Sequence, residues 1–126
     1  MVTTTCFLSL PSWGAGQGSQ APTTREMNLI TWQEFREVVP DRIETVLLPV
    51  GTLEPHGVLP NGSDNLAPEA MARALATRLN AMIAPTLNYG VTGSMKAFPG
   101  AFAIREAAYR LFIADIFKGL ALKTSS

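Results

Sequence analysis

The sequence predicts an α/β fold, and three observations carry that expectation. Thr45 to Val50 is an apolar run bounded by Glu44 and Gly51, the pattern of a parallel strand covered on both faces. Amphipathic stretches at helical spacing lie on either side of it. A second short apolar run, Ala81 to Pro85, returns after the following helix, so the order helix, strand, helix, strand, loop, helix is that of a layered α/β unit.

Residues 1–26 are dominated by Gly, Ser, Thr, Pro and Gln, without periodicity. They read as a flexible N-terminal extension or a degenerate export signal, in which Cys6 to Trp13 imitates the apolar region and Gly14 to Thr24 the cleavage region. No Lys or Arg precedes the apolar stretch, which argues against export. Gly14-Ala15-Gly16-Gln17-Gly18 is no dinucleotide loop, because Pro22 and its polar neighbours offer no helix to receive a pyrophosphate.

The domain begins at residue 27 and runs to 126. Thr31 is an N-cap with Glu34 three residues on, and Trp32, Phe35 and Val39 form the expected buried stripe of a short helix that Pro40 ends. After the first strand, Asp64 or Asn65 is expected to cap a second helix with Pro68 and Glu69 in its first turn. Met71, Ala74, Leu75, Leu79 and Met82 then fall on one face. A turn-rich loop runs from Asn88 through Gly90, Gly93 and Pro99-Gly100, and Arg105 to Leu122 reads as a third amphipathic helix. Such a helix normally delivers the chain to another parallel strand, so residues 27–126 are expected to be the N-terminal part of a larger domain, truncated at the C-terminus.

Composition excludes several functions. The 126 residues carry no net charge and are 47% hydrophobic, which argues against disorder and against a nucleic-acid surface. Cys6 is the only cysteine, so no intrachain disulfide forms. Asp115 and Lys118 interrupt the most apolar stretch, which argues against a membrane span. A cytoplasmic location is expected, or an exported one if residues 1–25 act as a signal.

The chemistry concentrates where the first strand ends. Glu54-Pro55-His56-Gly57 and Gly62-Ser63-Asp64-Asn65 place two carboxylates and the only histidine at a strand exit, where open α/β sheets put their sites. Glu54 and His56 are two apart and point the same way in an extended segment. With Asp64 they suit Zn²⁺ or Mn²⁺, and a carboxylate can bridge two ions. Taken by spacing alone, a metal site and a plain alternative both stand: Asp64 as a helix N-cap, Glu54 as a solvated loop residue, His56 as a turn residue.

The ordered set Leu48-Pro49-Val50-Gly51-Thr52-Leu53-Glu54-Pro55-His56-Gly57, Gly62-Ser63-Asp64-Asn65, Ala84-Pro85, Asn88-Tyr89-Gly90-Val91-Thr92 and Phe98-Pro99-Gly100 resembles the creatininase (creatinine amidohydrolase) family from about Asn28 to Leu122. The resemblance implies a partial three-layer α/β/α fold with a mainly parallel sheet and a binuclear Zn or Mn centre. It also implies hydrolysis of a C–N bond of a cyclic amide, formamide or related small molecule by metal-bound hydroxide, in a homo-oligomer, a hexamer in the family. By position, Glu54 resembles the ligand of one metal, His56 that of the other, and Asp64 the bridge. Gly57 and Gly62 resemble the turns presenting them, and Tyr89, Gly90, Phe98, Pro99 and Gly100 resemble loops near the pocket.

The chain departs from the family at three places. Gly57-Val58-Leu59-Pro60-Asn61 lacks a second histidine and is one residue shorter before the aspartate. Pro99-Gly100-Ala101 stands where relatives often have Pro-Gly-Thr. The family's later Asn-Gly-His segment and remaining ligands have no counterpart in these 126 residues. The rival expectation is therefore a non-catalytic fragment or interaction module that binds another chain through a sheet edge and the third helix.

Overall fold

The structure, a computed structural model, describes residues 22–124. Cys6 and most of the segment read as an extension or export signal lie outside the described residues. The main elements are α1 (Trp32–Val38), β1 (Thr45–Leu47), α2 (Ser63–Ala76), β2 (Ala81–Ile83) and α3 (Glu106–Thr124), with short 3-10 turns at Met27–Leu29 and Gly93–Ala97.

Helix α1 starts as expected. Thr31 Oγ1 accepts from the Glu34 N–H at 3.3 Å while the Glu34 carboxylate accepts from the Thr31 N–H at 2.7 Å, a reciprocal capping box. The Thr31 N–H, and after it the Thr31 hydroxyl donating to the same carboxylate at 2.8 Å, hold the Glu34 carboxyl below its ordinary range. The buried stripe is displaced from the expected one: Val38 and Val39 are buried and Phe35 packs against them, whereas Trp32 is exposed. The Arg36 guanidinium lies 5.1 Å from the centre of the Trp32 ring, so the indole is covered by a cation rather than by the core.

Strands β1 and β2 pair in parallel, with Val46 opposite Met82 and Leu47 opposite Ile83. Alternation along a strand sends these two pairs to opposite faces of the sheet. On one face Met82 joins Val38, Val39 and Ile43, with Val46 and Phe35 against them. On the other, Ile83 joins Ala72 and Ala76 of α2, with Leu47 alongside. This is an α/β/α layering, but only β2 is buried throughout; β1 is partly covered, with Thr45 exposed and Val46 and Leu47 half-buried, so the cover on both faces expected of the first strand is incomplete.

The apolar runs outlast the regular ladder. Pro49 and Pro85 carry no N–H, and past them the strands continue as a single bridge between Val50 and Leu87. On its far side β2 receives a further parallel bridge from Glu26, and the Ile83 N–H donates to the Arg25 carbonyl at 2.8 Å. Glu26 also binds Arg73 of α2 at 2.9 Å, and this contact raises the guanidinium pKa.

Helix α2 corrects two expectations. Its N-cap is Gly62, not Asp64 or Asn65, and Pro68 falls within the helix rather than in its first turn. The buried face is Asn65, Ala72 and Ala76, while Met71 and Leu79 are exposed and Met82 belongs to β2. Small residues let the helix approach the sheet closely, and closeness of approach outweighs the size of the apolar side chains in choosing the face. Helix α3 matches its expected span, with Leu111, Phe112 and Phe117 exposed on it. No helix among the described residues is long and apolar enough to cross a membrane.

Candidate metal centre

The segment between β1 and α2 is folded by local backbone bonds. The Gly51 N–H donates to the Leu87 carbonyl at 2.9 Å, which carries the chain off the sheet beside the exit of β2. The Glu54 N–H then donates to the Asn61 carbonyl at 3.2 Å, closing the loop across its base. Within it the Leu59 N–H donates to the His56 carbonyl at 3.1 Å, and Gly57 occupies the left-handed region at φ 62°. Glycine takes that conformation without the Cβ clash that other residues meet. The Ser63 hydroxyl donates to the Pro60 carbonyl at 2.6 Å and turns the chain into α2.

Gly62 does not serve as the second left-handed turn; its φ is −89° and it caps α2, its carbonyl accepting from the Asn65 and Leu66 N–H groups. Asp64 is therefore the second residue of the helix, and its carboxylate is free of capping duty. The positive end of the helix dipole favours a negative charge there.

These turns bring Glu54, His56 and Asp64 together, each offering a ligand atom within 4.8 Å of the others. His56 Nε2 is 3.2 Å from Asp64 Oδ1. That contact lacks hydrogen-bond direction, and Nε2 is shielded from water with no hydrogen-bond partner among the described residues. A buried polar atom without a partner is destabilising unless something else satisfies it. Two donors bound to one tetrahedral ion at about 2.1 Å stand roughly 3.4 Å apart, close to the His56–Asp64 separation. Two oxygen donors and one imidazole fit Zn²⁺ or Mn²⁺.

The loops expected near the pocket pack on the segment that carries these residues. Gly90 is buried beside Thr52, and its carbonyl accepts from the Ile104 N–H at 2.9 Å. The Phe102 N–H donates to the Leu53 carbonyl at 3.1 Å, and the Phe102 ring meets Tyr89 edge to face at 6.1 Å. Gly100, at φ 86°, lies where a Cβ would strike the Asn61 amide. Phe98 and Pro99 are exposed. Tyr89 thus lies against Phe102, Gly90 beside Thr52, and Gly100 where a side chain would meet Asn61.

Two residues that the sequence did not single out for the site are central to it. Gly51 lies against α2, where a Cβ would collide with Asn65 Oδ1 and the Asp64 backbone. Asn65 is 8% exposed and its Nδ2 donates to the Asn88 carbonyl at 3.4 Å. A glycine ending an apolar strand was the available signal for the first. The buried amide had none, because an Asn beside an Asp in a helix's first turn reads as a cap.

A layered α/β domain with a carboxylate, imidazole and carboxylate cluster at a strand exit defines the class of metal-site α/β proteins. A family model described as creatinine amidohydrolase matches residues 28–123, and the chain belongs to that family, the creatininases. It is 33% identical over 98 residues to a creatinine amidohydrolase of Pseudomonas putida, covering 73% of this chain and 38% of that protein. It is 30% identical over 87 residues to a mycofactocin precursor peptide peptidase of Mycobacterium ulcerans, covering 61% of this chain and 35% of that protein. Among solved structures, a manganese creatininase and a Zn–Zn form of a mutant creatininase each superpose with a TM-score of 0.72 at 31% identity, covering 78% of this chain and 40% of theirs. The chain thus spans less than half the length of these relatives.

Proposed function

We propose that this chain supplies one side of the divalent metal centre of a hydrolase that cleaves a C–N bond in a cyclic amide, a formamide or a related compound. The observation that carries it is the convergence of Glu54, His56 and Asp64, with His56 Nε2 shielded and lacking a hydrogen-bond partner among the described residues. The relatives support the bond type: one is a creatinine amidohydrolase, another a peptidase of a precursor peptide, and both names denote cleavage at an amide nitrogen. A divalent ion bound at the cluster supplies Lewis-acid polarisation of a carbonyl and acidifies water.

The chain's own residues prepare that site. His56 presents Nε2 beside Asp64, whose place on α2 brings the positive helix end near an accumulating negative charge. Glu54 is tied by its backbone to Asn61, so the two loop ligands and the helical one keep their spacing. Gly51 and Gly90 admit close packing of the neighbouring backbone behind the cluster.

Elemental analysis after purification without chelator tests this reading. About one or more Zn or Mn per chain, lost on Asp64→Asn, supports it. No metal above background in the parent chain sinks it for this polypeptide.

A second reading, an interaction module or a subunit of a homo-oligomer, is favoured by the apolar surface of α3, where Leu111 is 70% exposed and Phe112 and Phe117 are more than half exposed. Light scattering decides it: a monodisperse monomer across the micromolar range removes self-association.

A further inference from the structure

The buried amide of Asn65 has no place in the chemistry above, and stability does not account for it. Its Oδ1 is shielded with no hydrogen-bond partner among the described residues, and its Nδ2 makes one long bond, 3.4 Å, to the Asn88 carbonyl. Burying a half-satisfied amide is worse for folding than filling the same space with an apolar side chain. Yet the residue sits at a junction of three segments. It follows Asp64 in the first turn of α2, its Oδ1 lies beside Gly51, and its Nδ2 reaches the Asn88 carbonyl, these two positions following the Val50–Leu87 bridge beyond β1 and β2.

We propose that Asn65 is a positioning residue for the metal centre: its side chain packs the first turn of α2 against Gly51 and bonds it to the Asn88 carbonyl, and so sets where Asp64 presents its carboxylate to His56. The inference rests on the metal reading given above and concerns this chain's own residues. Asp64 and Asn65 are adjacent on one helical turn, so a shift of Asn65 against Gly51 moves the Asp64 backbone with it. His56 is held by a different set of bonds, the turn to Leu59 and the loop closure at Glu54 and Asn61. The loop bonds run up to Asn61, beside the N-cap of α2, while Asn65 sets the first turn of that helix against Gly51 and Asn88, so the 3.2 Å separation of Nε2 and Oδ1 depends on both.

The test is calorimetric titration of Mn²⁺ alone into the parent chain, Asp64→Asn, Asn65→Ala and Asn65→Leu, with melting of each metal-free protein in chelator. Leu keeps the branched shape, at a larger volume, and removes both donor and acceptor. Loss of a residue that orients a ligand typically lowers affinity 10- to 100-fold, so both Asn65 variants should bind Mn²⁺ at least about tenfold more weakly. Their metal-free melting temperatures should stay within a few degrees of the parent's. Parent-like binding by either Asn65 variant, with Asp64→Asn impaired, overturns the inference and leaves the metal reading standing. A loss of affinity matched by a collapse of the metal-free fold in both variants also overturns it, since the role is then merely structural. Parent-like binding by Asp64→Asn, or none by the parent chain, overturns the metal reading, and the inference falls with it.

Discussion

His56 Nε2 and Asp64 Oδ1 stand 3.2 Å apart, one on a loop closed by its own backbone bonds and the other on the first turn of α2, and no hydrogen bond joins them. The proposed function places a divalent ion between these two groups. Binding of that ion must stabilise the fold by mass action. At 100 times the dissociation constant the gain is about 2.7 kcal/mol. Thermal melting with and without Mn²⁺ or Zn²⁺ should show this rise in the parent chain and none in His56→Ala.

Gly51 leaves no room for a side chain, because Asn65 Oδ1 and the Asp64 backbone occupy the space a Cβ would take. Gly51→Ala should destabilise the domain by about 1–3 kcal/mol, the usual range for an added methyl in a packed interior. It should also lower Mn²⁺ affinity, since the displaced groups belong to the turn that carries Asp64. Urea unfolding with a parallel metal titration checks both outcomes.

Gly57 and Gly62 flank the loop and look equivalent in the sequence, but only Gly57 has a positive φ, and neither has an atom within 4 Å of an added Cβ. Gly57→Ala should cost about 1–2 kcal/mol from the left-handed conformation alone. Gly62→Ala, at φ −89°, should change stability by only a few tenths to about 1 kcal/mol. Equal effects in chemical denaturation would contradict the turn geometry.

The Glu34 carboxyl is held below the ordinary glutamate range first by the Thr31 backbone N–H and then by the Thr31 hydroxyl. A lowered folded-state value means that Glu34 contributes stability above the unfolded pKa, and that this contribution disappears as pH falls through the folded one. Glu34→Gln should therefore lower the melting temperature at pH 7 and differ less and less from the parent as the pH drops below about 4.5. Thr31→Ala removes the cap itself and should cost about 1 kcal/mol. Melting curves across pH 3 to 7 separate the two.

Much of the frame was legible because it is written in local chemistry. Thr31 and Glu34 announce a capping box three residues apart, and the runs at Thr45 and Ala81 announce strands, of which only the second is buried throughout. Glu54, His56 and Asp64 stood out as scarce functional groups after a strand. The displaced faces of α1 and α2 were not legible, because helical spacing marks which residues share a face but not how near the sheet lies. Once α2 docks through Ala72 and Ala76, Met71 and Leu79 are left outside.

The sequence by itself determined the order of elements, the family and the three candidate ligands, since motif spacing and apolar runs are properties of short segments. Only the tertiary structure decided that Gly62 rather than Asp64 caps α2, that Gly51 lies against Asn65, and that His56 Nε2 is enclosed with no hydrogen-bond partner among the described residues. These depend on how a loop and a helix built from separate local bonds come to rest against each other. That contact is fixed by packing across the sheet and has no signature in either segment alone.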